Sequence, residues 1–294
     1  MSNHHIPISA YSRFFLKAPD RPFSFHDSLT HLKNSGFDGV DFSLEFLPYM
    51  GFNEEQMKAY CYDLRNHAEK IGLAVTFGHL PFSGTQKAKT KDKAAMKQKL
   101  HEDILICIRA AGYLGLKRAV LHPVGDKNEP RSEEANERWF LRNLEHYEKY
   151  RPYAEEAGIV FAIENMRDPL HAEGLHRYAA TADEVLRIAK ATGNEVCWDF
   201  GHAHTSGLKQ SEELRKLEGY LTVTHVNDNV GGDDLHLLPY FGTIDWKDAM
   251  QGLHDIGFKD FFNYECKMFR LPHDLHDDAA AYAIKLAESL TAMI

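Results

Sequence analysis

Eight short, nearly unbroken apolar runs, each followed by a longer amphipathic stretch, set the tightest limit on how this 294-residue chain folds. They are IPISAYS, FDGVDFSLE, LAVTFGHLP, KRAVLHP, GIVFAIENM, EVCWDFGHA, YLTVTHVND and KDFFNYECK. Continuous rather than alternating apolar residues are what a parallel sheet covered on both faces requires. Glycine closes several helical stretches just before the next strand, as in KIGLAV, EAGIVF, ATGNEV and DIGFKD, where it supplies a left-handed cap. Helix starts carry matching signals: Thr181 stands three residues before Glu184, and Thr243 precedes IDWKDAM. Eight β/α pairs at this length predict an α/β fold, one (β/α)₈ barrel domain spanning residues 1–294. A doubly wound open sheet is set aside, because no glycine-rich dinucleotide fingerprint follows the first strand.

Composition narrows the functional classes. Charged residues at 26% and hydrophobic residues at 44% are ordinary for a folded globular chain. The four cysteines, Cys61, Cys107, Cys197 and Cys266, form no close pair, so reduced thiols and a cytoplasmic setting are expected. No apolar stretch approaches the length of a membrane span, and no basic-then-apolar leader opens the sequence. A formal charge of −9 works against a nucleic-acid partner, since such affinity comes largely from Lys and Arg on phosphates. The lysine-rich residues 83–99 are the one counterweight, and they read as a flexible loop and a solvated helix face rather than a phosphate-contacting lid.

The chemistry gathers in residues 195–246, where Asp199, His202, His225, Asp228, Asp234 and His236 adjoin β-rich runs. Mixed carboxylate and imidazole donors suit Zn²⁺, Mn²⁺ or Co²⁺. In a barrel, functional groups sit at the C-terminal ends of strands. Those ends carry His79, His122, Glu164, Asp199 with His202 just beyond, His225 and Glu265, so the third to eighth strands each deliver a metal-competent residue. Asp234 and His236 follow the seventh strand, their Asp-x-His spacing in extended backbone pointing both side chains one way. A lone residue of this kind is ordinarily just a hydrogen-bonded polar group. Six in succession are not, because converging carboxylates with nothing to neutralise them repel and lose solvation.

The motifs IEN at 163–165, WDFGHAH at 198–204, HVNDN at 225–229, DDLHL through GTIDW at 233–246 and YECK at 264–267 resemble the xylose isomerase-like barrel superfamily. Its relevant branch holds sugar (phosphate) isomerases and epimerases and is related to endonuclease IV. The resemblance spans essentially the whole chain. It implies one divalent ion held by Glu164, Asp199, His225 and Glu265, with His202 on the substrate. It also implies an alternative of up to three ions, since His79, His122, His202, Asp234 and His236 match the remaining ligand types of endonuclease IV. The arginine that some ketose epimerases carry shortly after the seventh-strand histidine is missing from HVNDNVGGDD, and PYFG replaces a glycine-rich segment expected after Asp-x-His.

The leading expectation is therefore a metal-dependent ketose 3-epimerase-like enzyme of carbohydrate metabolism. Glu164 and Glu265 would act as the acid/base pair on opposite sides of a carbon next to a metal-bound carbonyl, through an enediolate. His202 would orient the substrate, with Trp198 and Trp246, and also Tyr240 and Phe241, as candidate aromatic walls. The alternatives are metal-dependent phosphodiester cleavage at abasic DNA, a dehydratase or lyase on the same barrel, and a metal-dependent binding protein without turnover. The expected partner is a small sugar, with homo-oligomerisation left open.

Overall fold

The computed structural model describes residues 6–15, 24–82, 92–168 and 174–294. The strands are β1 (Ile8–Tyr11), β2 (Gly39–Ser43), β3 (Ala74–His79), β4 (Arg118–Leu121), β5 (Val160–Glu164), β6 (Glu195–Asp199), β7 (Leu221–His225) and β8 (Phe262–Tyr264). All pair in parallel, in the order β7-β6-β5-β4-β3-β2-β1-β8. Val226 closes the ring: its N–H donates to the Asn263 carbonyl at 2.7 Å, and its own carbonyl accepts from the Glu265 N–H at 3.0 Å. A (β/α)₈ barrel results.

The helices are α1 (Phe25–Asn34), α2 (Glu54–Ile71), α3 (Lys93–Leu114), α4 (Glu133–Ala157), α5 (Ala182–Thr192), α6 (Phe200–Thr205), α7 (Gln210–Lys216), α8 (Trp246–Asp255) and α9 (His276–Thr291). Gly72, Gly158 and Gly193 cap α2, α4 and α5 at φ 69°, the left-handed conformation that glycine adopts without a Cβ clash. Thr181 and Glu184 form a capping box on α5. Three local expectations are corrected. The sixth apolar run ends as a strand at Asp199, after which FGHAHT winds into α6, its first turn capped by Asp199. The second run ends at Ser43 and continues as a 3₁₀ helix, Leu44–Met50. Asp245, not Thr243, caps α8.

Of the lysine-rich segment, residues 83–91 lie outside the described residues, and 93–99 are the solvent-facing opening turns of α3. No helix among the described residues is long and apolar enough to cross a membrane. All four cysteines are free and buried.

The main core lies between the strands and the surrounding helices. A second, smaller cluster of Phe77, Val120, Ala162, Cys197 and Val223 fills part of the barrel interior. It positions the site, as described next.

Candidate active site

Side chains two apart on a strand face the same way. The residues two positions after that interior cluster are His79, His122, Glu164, Asp199 and His225. His79, Glu164, Asp199 and His225 are the last residues of β3, β5, β6 and β7, and His122 and Glu265 follow β4 and β8 directly. The strand period therefore turns all five into the barrel, one layer above an apolar plug. A cavity of about 600 Å³ opens over them, lined by His79, His122, Glu164, His202, Asp234, His236 and Glu265 among others.

Donor atoms of Glu164, Asp199, His225 and Glu265 lie within 4.8 Å of one another. His225 is fully buried, its Nδ1 2.9 Å from Glu164 Oε1 and 3.4 Å from Glu265 Oε2. Its Nε2 faces Asp41 Oδ2 at 3.7 Å, a carboxylate behind the imidazole that favours one ring orientation. The other oxygen of Glu164, Oε2, is 2.7 Å from His122 Nε2 and 3.5 Å from His79 Nε2, and the two imidazole nitrogens are 3.1 Å apart. A third group forms around Asp234 Oδ2, 3.0 Å from His236 Nε2 and 3.8 Å from His202 Nε2.

Three of these imidazoles are aimed by one device. His79 Nδ1 donates to the Leu80 carbonyl at 2.8 Å, His202 Nδ1 to the Asn165 carbonyl at 2.8 Å, and His236 Nδ1 to the Glu265 carbonyl at 2.8 Å. A carbonyl only accepts, so each Nδ1 carries the proton, and each Nε2 is turned toward the cavity, where in the neutral ring its lone pair can ligate a metal ion or accept from a substrate hydroxyl. Two asparagines brace Asp199. Asn165 receives the Asp199 N–H at 2.6 Å and donates to the Asp199 carbonyl at 3.0 Å, while Asn227 donates to Asp199 Oδ2 at 2.8 Å.

The electrostatics fit a cation. Burial pushes Asp199 up to about 7 and Asp41 up to about 6. Burial would raise Glu164 as well, but His225 and His122 outweigh it and hold that carboxyl well below the usual range. The imidazoles divide: burial opposes the charge on all of them and holds His122 below its ordinary value, yet neighbouring carboxylates raise His79 and His236 to about 9. The set thus borrows protons to balance its buried anions. A divalent ion supplies the same positive charge, and the N/O donor set is of the type that Zn²⁺, Mn²⁺ and Co²⁺ accept.

Several expected residues take other roles. Trp198 and Trp246 do not line the cavity: both are buried in the core, the indole of Trp198 donating to Gln210 at 2.9 Å and that of Trp246 to Asp228 at 2.8 Å. Trp198 sits between inward-facing Cys197 and Asp199, so the strand period sends it to the helix layer. Asp228 is a structural hub that also accepts from the N–H groups of Asn229, Tyr240 and Ile244. Tyr240 and Phe241 are exposed and form no cavity wall. Asp234 and His236 do meet, but through a left-handed turn at His236, φ 52°, rather than extended backbone. The cavity also gathers residues that belong to no motif: Trp139 and His146 from α4, and Arg167 and Arg177 from the segment between β5 and α5. No spacing in the sequence links these positions to strand ends.

Comparison with known proteins agrees with this fold. Uncharacterized protein MJ1311 of Methanocaldococcus jannaschii is 27% identical over 255 residues, covering 85% of this chain and 81% of that one. A solved D-tagatose 3-epimerase-like protein is similar in fold with a TM-score of 0.68 at 22% identity, covering 98% of this chain and 96% of its own. D-psicose 3-epimerase, crystallised in the presence of D-fructose, gives a TM-score of 0.70 at 14% identity, covering 97% and 99%. A model described as xylose isomerase-like TIM barrel matches residues 29–290, and the chain belongs to that family.

Proposed function

We propose that the protein is a divalent-metal-dependent isomerase or epimerase of a sugar or sugar phosphate, moving a proton at a carbon next to a carbonyl. The observation that supports this most directly is the approach of two carboxylates, Glu164 and Glu265, to one nitrogen of His225 beneath an open cavity. Glu164, Asp199, His225 and Glu265 would hold the ion. When bound, it supplies a Lewis acid that polarises the substrate carbonyl. One glutamate then removes the neighbouring proton and the other returns it, which inverts a stereocentre if the two act from opposite faces. His202, its Nδ1 pinned to the Asn165 carbonyl, presents Nε2 to a substrate oxygen. The epimerases of similar fold support the substrate class.

Replacement of Glu265 by Gln tests the assignment through solvent-deuterium uptake into a panel of ketoses. Uptake should fall at least about 100-fold, the usual scale for a lost acid/base group, with the fold retained. Unchanged uptake removes Glu265 from proton transfer, and metal loss parallel to the loss of uptake assigns it to holding the ion alone.

One observation favours a second reading. Glu164 offers one oxygen to His79 and His122 and the other to His225, while His202 and His236 flank Asp234, so three donor groups share one rim. Such an array suits clustered ions and phosphodiester hydrolysis at abasic DNA. Elemental analysis separates the two: about one equivalent of metal per chain supports the isomerase, whereas two or three of zinc with cleavage of an abasic duplex support the hydrolase.

A further inference from the structure

We propose that Arg177 binds an anionic group of the substrate, a phosphate or a carboxylate, with Arg167 beside it. Beyond its carboxylates and imidazoles, the cavity has a different wall, where Pro123, Val124, Trp139 and Met166 accompany the two arginines. The Nε of Arg177 is buried and has no hydrogen-bond partner, and among the described residues no carboxylate forms an ion pair with its guanidinium. Other arginines nearby are paired: Arg131 lies 3.6 Å from Asp168, Arg138 2.6 Å from Glu129 and Arg187 2.6 Å from Glu137. Among the described residues, Arg167 pairs only with the solvent-exposed Asp233, at 3.9 Å.

This position is built rather than incidental. The Arg177 N–H donates to Asp168 Oδ1 at 2.7 Å, and the preceding His176 is clamped between Asp168 and Glu184 at 2.7 and 2.6 Å. Two residues later Ala179 is held at φ 69°, its carbonyl accepting the Met166 N–H at 2.7 Å. Gly125 makes room for the arginine stem, since a Cβ there would lie 3.4 Å from Arg177 Cγ and 3.3 Å from the Tyr178 carbonyl. A guanidinium kept partly buried without a carboxylate is costly unless a ligand completes it, and its planar fork matches phosphate and carboxylate oxygens. Neutral sugar hydroxyls would leave its charge uncompensated. The identity of the molecule carrying the anion rests on the isomerase reading; the anion site itself stands on Arg177.

Calorimetric binding of inorganic phosphate and of acetate tests the site on the full chain, comparing wild type, R177M and R177K, as purified and after EDTA treatment. Wild type should bind at least one anion, R177M at least about ten-fold more weakly in both metal states, and R177K in between. Equal binding by wild type and R177M, or none by wild type, overturns the proposal. Should R177M fail to fold, G125V, which crowds the arginine stem, carries the same expectation. Deuterium uptake then identifies the source: uptake that needs Arg177 with ketose phosphates points to phosphate, and with ketonic sugar acids to carboxylate. Neutral ketoses that exchange as fast as anionic ones in wild type and R177M sink the proposal and leave the isomerase reading standing. Arg177-dependent anion binding with no uptake into any ketose does the reverse.

Discussion

Gly201 has no side chain because a Cβ there would lie 1.9 Å from Asn227 Oδ1 and 3.0 Å from Asn229 Nδ2. Asn227 is the side chain that holds Asp199 Oδ2, and Asn229 donates to the Gly201 carbonyl at 2.9 Å. A G201A variant should therefore lose about 2 kcal/mol from overpacking and unfold roughly 4–8 °C lower. Differential scanning calorimetry checks this, and an unchanged Tm would mean that the asparagines move aside at no cost. WDFGHAH was legible as a motif, but the reason for its glycine was not, because the clashing atoms come from the segment that follows the next strand, β7. Trp198 carries the opposite lesson. Its outward direction follows from its place between two inward residues, so strand geometry outranks the attraction of an aromatic beside a ligand.

The β5–α5 connection shows what whole elements reveal and conceal. Its helix was readable from the Thr181–Glu184 box and Gly193, both local signals. Its loop was not, because Asp168, His176 and Glu184 form their clamp only once the chain has folded back. Hydrogen bonds that His176 donates to Asp168 and Glu184 raise it to about 9, with burial opposing them. The unfolded chain titrates near the ordinary value of about 6.5. The clamp's contribution is consequently complete below pH about 6.5 and lost as pH rises through about 9. Replacing His176 by Gln should cost about 2 kcal/mol at pH 6, allowing for partial solvent screening, and clearly less at pH 9.5. Urea unfolding of both proteins at the two pH values measures the difference, and a cost that grows with pH would refute the clamp. The short helix α6 escaped notice for a similar reason: six residues capped by a carboxylate carry too little periodicity to register.

At the scale of the molecule, β5, β6, β7 and the residue after β8 each bring one donor to the central set. An ion bound there ties the end of the ring to its middle and stabilises only the folded chain. At a hundred times its dissociation constant, Mn²⁺, Co²⁺ or Zn²⁺ should add about 2.7 kcal/mol, a rise in Tm of roughly 5–10 °C over the EDTA-treated protein. A Tm indifferent to all three metals would show that the donors hold none of them. The barrel and most of its rim were legible because strand ends are marked twice, by apolar runs and by the polar residues that close them. The arginine wall was not, since loops and helix faces reach the cavity by paths that no period records. Between rim and barrel lies the plug of Phe77, Val120, Ala162, Cys197 and Val223. Because it packs the interior below the donors, a change of donor one layer up disturbs little of what makes the chain fold, leaving the rim free to drift from one reaction to another while the scaffold stays as it is.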